Sequence, residues 1–106
     1  MIKIEEVKNT KQKISSFIKE TELVNSNLSQ KLGIDLKLKL ELNQPIGAFK
    51  IRGAMNAVLN LSDQYKGVTC CSTGNHGKGV AFAAQNKIRK LLFVCPKMYQ
   101  QIKLKA

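Results

Sequence analysis

Two segments of the chain contain residues whose types and spacing could do chemistry, and the first is GAFKIRGA, residues 47–54. Its Lys50 follows a turn and an aromatic residue and stands where a helix should open, so the helix dipole disfavours the ammonium form. A neutral lysine amine is a nucleophile that condenses with carbonyl compounds to form Schiff bases. Lys50 is therefore a candidate catalytic residue. The alternative is that it is one more surface charge among sixteen lysines.

The second segment is STGNHGKG, residues 72–79, placed between a buried strand and a helix. Backbone N–H groups in such a turn, together with the helix N-terminus, favour an anion such as a carboxylate or a phosphate. Its glycines fit neither G-x-G-x-x-G nor the P-loop pattern, so a tight connection without a ligand is an open alternative. His76 is equally open, because it has no evident Asp or Ser partner and could simply hydrogen-bond the turn.

The elements that would position these segments follow from hydrophobic spacing. Apolar residues at near-helical intervals predict a helix over residues 4–19, and residues 21–32 are predicted as a loop leading into a short helix that Gly33 ends. Alternating leucines and charges predict a half-exposed strand over residues 36–42. Pro45 and Gly47 predict a turn, and one apolar face predicts a helix over residues 49–62.

A strand–turn–helix–strand succession follows within about 28 residues. Residues 68–72 are predicted as a short buried strand, residues 73–77 as the turn, and residues 91–95 as a second buried strand after an alanine-rich helix. Such a βαβ unit favours an α/β fold with a parallel sheet.

Composition limits the class of protein to which the chain can belong. A chain of 106 residues and 11.8 kDa, 43% hydrophobic and 24% charged, has room for one small folded domain. Its longest apolar run, residues 91–95, is far shorter than the ~20 residues of a membrane span, and no signal-peptide core is present. We therefore expect a cytoplasmic protein without a membrane partner.

Charge and cysteine usage argue against two further kinds of partner. The net charge of +11 would suit a nucleic acid, but it comes from scattered lysines with only two arginines, so we expect no nucleic-acid binding. Three cysteines and one histidine offer no metal-ligand spacing, so no metal is expected. The thiols are expected to be reduced and buried, with the neighbours Cys70 and Cys71 on opposite faces of a strand.

The two segments together, about 22 positions apart, resemble the fold-type II pyridoxal-phosphate enzymes. GAFKIRGA followed by STGNHGKGVAFAA is similar to the threonine/serine dehydratase branch, whose pattern is GSFKxRGA and then a GNH loop, and which includes serine racemases and hydroxyectoine-utilisation dehydratases. LKLELNQPIG and VCPK add supporting matches. The resemblance implies part of a three-layer, mostly parallel sheet of the tryptophan-synthase-beta-like fold. It also implies pyridoxal 5'-phosphate as cofactor, a small amino acid as substrate, and homo-oligomers in the full-length family.

The resemblance also implies a role for each motif position. Lys50 would hold the cofactor as a Schiff base and act as acid and base at the substrate α-carbon. Phe49 would pack against the cofactor ring, and Asn75 would donate a hydrogen bond to the ring oxygen. The substrate carboxylate would be held by four residues of the loop, namely Ser72, Thr73, Gly74 and His76. The expected reaction deaminates L-threonine, L-serine or a related hydroxyamino acid to a 2-oxo acid and ammonia.

The chain also departs from the pattern. Ala48 replaces a serine, and Thr21-Glu22-Leu23 replaces Thr-Pro-Leu. The family's phosphate-binding glycine loop lies downstream of these motifs, and this sequence has no glycine run. We therefore expect one incomplete, truncated N-terminal portion, in which residues 1–47 lead to the lysine and residues 48–106 begin the small domain, with little or no activity by itself. The alternatives are a non-catalytic fragment or interaction module, and a serine racemase activity.

Overall fold

The computed structural model describes residues 1–87 and 90–93. Their elements, in chain order, are α1 (Ile4–Ile14), β1 (Leu23–Asn25), α2 (Leu28–Leu32), β2 (Lys37–Lys39), a short 3-10 helix (Glu41–Asn43), α3 (Lys50–Leu59), β3 (Gly67–Cys70), α4 (Asn75–Asn86) and β4 (Lys90–Phe93). No helix within these residues has the length and apolar composition that crossing a membrane requires.

The predicted βαβ unit is confirmed. β3 and β4 pair in parallel, from Gly67 opposite Lys90 to Cys70 opposite Phe93, with α4 as the connection. The last two positions of the predicted second strand, residues 94 and 95, lie outside the described residues. Cys70 is buried and Cys71 exposed, so the expectation of burial is wrong for Cys71. Cys71 follows the last residue of β3, so the placement of the two thiols on opposite faces of one strand stays a prediction.

A second, antiparallel strand pair was not predicted. β1 pairs with β2, with Val24 opposite Leu38. The three-residue β1 falls within the segment predicted as a loop, since it is too short for a period-two pattern to show. The predicted strand over residues 36–42 is correct in kind but longer than β2, because the 3-10 helix begins at Glu41. α2 ends at Gly33, whose φ of 64° lies in the left-handed region, as predicted.

The first helix is shorter than predicted. α1 ends at Ile14 rather than Lys19, and the backbone N–H of Phe17 then donates to the Ile14 carbonyl at 3.0 Å in a turn. Phe17 and Ile18 reach the core from this turn rather than from the helix. The stripe that suggested a longer helix is mostly exposed, since Ile4 is 60% exposed and only Ile14 of α1 is buried.

The core lies between α3 and α4, the helices that begin in the two chemically interesting segments. α3 buries residues at the i, i+3, i+4, i+7 spacing of an amphipathic helix, and α4 contributes small residues that let the helices approach. The buried apolar side chains of these helices are Ile51, Ala54, Met55, Val58, Val80, Ala83 and Ala84. Packing of the core therefore determines how the two segments lie relative to each other.

One exposed glycine of α3 offers a first prediction. Gly53 lies inside the helix, and a Cβ built on it meets no atom within 4 Å. Gly53→Ala removes the entropic cost of glycine in a helix without a clash, so we expect about 0.5–1 kcal/mol of added stability. Urea unfolding followed by circular dichroism measures the change. A destabilised variant would show that this face of α3 is in fact tightly covered.

Candidate functional site

The start of α3 carries the amine that the sequence singled out. The preceding turn closes with a hydrogen bond from the Gly47 N–H to the Gln44 carbonyl at 2.8 Å, and Gly47 has a φ of 73° that favours glycine. Phe49 caps α3 and Lys50 is its first residue. The Lys50 side chain is exposed, and its Nζ lies 5.1 Å from the centroid of the Phe49 ring, within cation–π distance.

The start of α4 is capped by a hydroxyl from the preceding loop. Ser72 Oγ accepts hydrogen bonds from the backbone N–H groups of Gly74 at 3.3 Å and Gly77 at 3.1 Å. The N–H groups at the start of a helix have no partner inside the helix, so an oxygen acceptor is favourable there. Ser72 therefore marks the place toward which this loop directs its donors.

Several donors of the same loop are open to solvent. Within residues 1–87 and 90–93, the backbone N–H groups of Thr73, Asn75 and His76 donate to no other residue. The side chains of Asn75 and His76 are exposed and make no hydrogen bond inside that part of the chain. The first turn of α4 also holds no acidic residue. The loop and the positive end of α4 can thus receive an anion of carboxylate size.

A close helix contact brings the two segments together. A Cβ built on Gly79 of α4 would lie 3.2 Å from the Cβ of Ala54 and 3.3 Å from the carbonyl oxygen of Lys50. The backbone of α4 thus runs directly against the first turn of α3. Gly79 is four residues into α4, about 6 Å along the helix axis from its start. The backbone of Lys50 therefore lies about one helical turn from the start of α4, where the open donors are.

The predicted site residues thus fall into two neighbouring groups. Phe49 and Lys50 form one group, and the other comprises Ser72, Thr73, Gly74, Asn75 and His76. Among the described residues, no hydrogen bond joins the Lys50 amine to the second group. The available chemistry is a primary amine, an exposed aromatic ring and open amide donors. It suits a ring-bearing aldehyde and an anion such as a carboxylate.

The sequence analysis missed a charged pair that involves the same turn of α3 as Lys50. Arg52, in the first turn of α3, donates from Nε to Glu41 Oε2 at 2.9 Å and from Nη2 to Glu41 Oε1 at 2.7 Å. The hydrogen bond from Arg52 lowers the pKa of Glu41 to about 2. The sequence feature that could have indicated this pair is the turn between its two residues. Pro45 and Gly47 fold the chain back there, which brings the opposite charges together.

Comparison with known proteins agrees with this geometry. The family model described as pyridoxal-phosphate dependent enzyme matches residues 14–106. The serine racemase of Dictyostelium discoideum is 33% identical over 108 residues, covering 99% of this chain and 33% of that protein. The L-threonine ammonia-lyase of Thermotoga maritima is 41% identical over 88 residues, covering 80% of this chain and 22% of that protein.

Solved structures show the same relationship. The serine racemase from Dictyostelium discoideum superposes with a TM-score of 0.86 at 32% identity, covering 97% of this chain and 35% of that chain. The processed form of threonine deaminase isoform 2 from Solanum lycopersicum superposes with a TM-score of 0.76 at 33% identity. This match covers 95% of this chain and 30% of that chain. The chain thus spans about a third or less of the length of these relatives. The expected α/β fold and the family's dependence on pyridoxal phosphate are confirmed. The chain belongs to the pyridoxal-phosphate dependent enzymes of fold-type II, with threonine dehydratases and serine racemases as relatives.

Proposed function

We propose that this chain provides the cofactor lysine and the substrate-carboxylate loop of an ammonia-lyase that deaminates L-threonine, L-serine or a related hydroxyamino acid. The observation that supports this function is the contact of Gly79 with Lys50 and Ala54. It holds the start of α3 beside the start of α4, so one amino-acid substrate can reach an amine and a set of anion donors at once.

Lys50 is the residue that would hold the cofactor and move the proton at the substrate α-carbon. Its amine is exposed, and a primary amine is the group that condenses with an aldehyde. Phe49, 58% exposed, offers a ring face beside it for the cofactor ring. When bound, pyridoxal 5'-phosphate supplies an electron sink that makes the α-carbon acidic.

The loop over residues 72–76 would hold the substrate carboxylate. Ser72 Oγ already accepts from the N–H groups of Gly74 and Gly77, and among the described residues the N–H groups of Thr73 and His76 have no acceptor. Several oriented donors at a helix N-terminus orient a carboxylate without a cationic side chain. The Asn75 side chain, exposed at the first position of α4, would donate to the ring oxygen of the cofactor.

Chemical labelling tests the role of Lys50. The protein is incubated with pyridoxal 5'-phosphate, reduced with borohydride, digested and mapped by mass spectrometry. We expect Lys50 to be labelled about tenfold more than the exposed Lys66, the ratio that ~1.4 kcal/mol of local binding energy produces. A substrate-like carboxylate, L-threonine, is then added before reduction to test whether labelling at Lys50 changes while labelling at Lys66 does not.

Two variants serve as controls for the labelling. Lys50→Arg is expected to remove the preferential label, whereas Lys66→Arg is expected to leave the label at Lys50 unchanged. Both keep the net charge of the chain, so nonspecific attraction of the anionic cofactor is the same. Equal labelling of Lys50 and Lys66 in the unaltered protein would contradict the proposed role.

Serine racemase activity is the second candidate. It is favoured by the D. discoideum serine racemase, which aligns over 99% of this chain and has a TM-score of 0.86. Both activities need proton movement at the same α-carbon, and they differ in whether the β-hydroxyl leaves. Chiral chromatography of L-serine incubated with a full-length protein carrying this segment separates them, because D-serine indicates racemisation and 2-oxo acid indicates deamination.

Residues 1–106 by themselves are expected to turn over little or no substrate. The sequence has no glycine run that could receive the phosphate dianion of the cofactor, so much of its binding energy would be missing. A non-catalytic fragment or interaction module remains the corresponding alternative function. The division at residue 47, the homo-oligomeric state and the cytoplasmic location also remain predictions.

A further inference from the structure

We propose that Glu41 is a positioning residue for Lys50, acting through Arg52 on the first turn of α3. The proposal rests on the proposed function only for the chemical role of Lys50. That Glu41 holds the first turn of α3 through Arg52 is a separate statement about the structure. Lys50 and Arg52 are the first and third residues of α3, so they belong to the same helical turn. A constraint on Arg52 is therefore a constraint on the direction of the Lys50 backbone.

The carboxylate of Glu41 is saturated with hydrogen bonds. Oε1 accepts from Arg52 at 2.7 Å and from the Thr21 hydroxyl at 2.6 Å. Oε2 accepts from Arg52 at 2.9 Å and from the Gln44 side-chain amide at 3.3 Å. A forked arginine–carboxylate pair fixes orientation as well as distance, because both hydrogen bonds must be kept together.

The pair also compensates an unfavourable charge in α3. Arg52 lies in the first turn, near the positive end of the helix dipole, and that turn contains no acidic residue. Glu41 supplies the missing negative charge from a neighbouring segment. Without it, the cation of Arg52 would destabilise the turn on which Lys50 is presented.

Glu41 is in turn anchored to a third segment. The Gln44 side chain accepts from the Lys19 N–H at 3.0 Å and donates to the Lys19 carbonyl at 2.9 Å. Thr21 and Gln44 are 6% and 4% exposed, so these contacts are shielded from water. The carboxylate therefore joins α3 to both the turn before it and the segment after α1.

Other ion pairs of the described residues lack this arrangement. The Lys37 and Asp35 side chains are 48% and 76% exposed, whereas those of Arg52 and Glu41 are 34% and 17% exposed. An exposed pair contributes little, so Asp35→Asn is a matched control for Glu41→Gln. Both substitutions remove one carboxylate charge and nearly preserve side-chain volume.

The experiment compares Glu41→Gln with Asp35→Asn by amide hydrogen exchange and by borohydride labelling with pyridoxal 5'-phosphate. We expect Glu41→Gln to speed exchange of the amides of residues 52–54 about tenfold relative to those of residues 56–58, and Asp35→Asn to leave that ratio unchanged. We also expect the Lys50-to-Lys66 labelling ratio to fall about threefold in Glu41→Gln only.

A third variant separates positioning from loss of stability. Val58→Ala opens a cavity in the same helix, 4% exposed in the native protein, without touching the pair. It is expected to lower the melting temperature and to leave the labelling ratio unchanged at a temperature where the protein is folded. If Glu41→Gln does not fold, Arg52→Lys replaces it, because it keeps the charge and loses the fork.

The outcomes are distinguishable. Unchanged relative exchange at residues 52–54 in a folded Glu41→Gln or Arg52→Lys protein would overturn the proposal, and so would the same labelling ratio in Val58→Ala and Glu41→Gln. If the unaltered protein shows no preference for Lys50, the proposed function fails, and the exchange measurement alone decides whether Glu41 holds the turn.

Discussion

Gly79→Val is expected to destabilise the chain by about 2–3 kcal/mol, because it places a branched side chain where even a Cβ is too close. The built Cβ lies 3.2 Å from the Ala54 Cβ and 3.3 Å from the Lys50 carbonyl oxygen, so α3 and α4 must separate. For a chain of this size, the loss corresponds to a fall in melting temperature of roughly 10–15 °C. Thermal unfolding followed by circular dichroism measures it.

The same substitution elsewhere provides the control. Gly53→Val places an identical side chain in α3 where a built Cβ meets nothing within 4 Å, so its stability should change by no more than ~0.5 kcal/mol. When Ala54→Gly is added to Gly79→Val, it removes the nearest facing atom, so the double variant should lose less stability than the sum of the two single variants. Similar effects of Gly79→Val and Gly53→Val would mean that the helix contact does not hold the two segments together.

That contact also shows why candidate residues could be singled out from sequence while their assembly could not. Residues 50 and 72–76 stand in local patterns, a turn followed by a helix and a strand followed by a glycine-bearing loop, and the resemblance to a known family assigned their roles. The approach of α4 to α3 depends on which face of Gly79 meets which residue of another helix. No pattern within one segment contains that information.

The same distinction between local patterns and contacts with other segments applies to the fold. α3, α4 and the parallel pairing of β3 with β4 were predicted because their hydrophobic periods are carried by consecutive residues. β1 was missed because three residues form a strand only through their pairing with β2. The end of α1 was misplaced because Phe17 and Ile18 keep helical spacing while packing from a turn.

Side-chain contacts modify two of the assigned roles. The Lys50 amine lies over the Phe49 ring, so a cofactor ring would take the aromatic face that the lysine covers. Ser72 is occupied as the cap of α4, so a substrate carboxylate would share or replace its hydrogen bonds from Gly74 and Gly77. The roles assigned by resemblance would therefore require the Lys50–Phe49 contact and the hydrogen bonds of Ser72 to rearrange.

Acid should weaken the unaltered protein more than a Glu41→Gln variant. The hydrogen bonds from Arg52 lower the pKa of Glu41 from 4.5 to about 2 in the folded state. A lowered folded-state pKa stabilises the native protein above pH 4.5, and this stabilisation is lost as the pH falls from about 4.5 through 2. At 1.36 kcal/mol per pKa unit, the difference between 4.5 and about 2 corresponds to a loss of about 3–3.5 kcal/mol. Urea unfolding at pH 6, 4 and 3 measures the free energy of unfolding, and hence how much of this stabilisation is lost at each pH.

Asp35→Asn separates this effect from the general charge repulsion of a chain with net charge +11. Asp35 pairs with Lys37 at the exposed surface, so its removal should leave the acid slope of the unaltered protein intact. Glu41→Gln should start from a lower stability at pH 6 and lose less of it by pH 3, so the two curves converge. Parallel curves for the unaltered protein and Glu41→Gln would show that Glu41 titrates at its ordinary pKa. The pair with Arg52 would then not be what holds the first turn of α3.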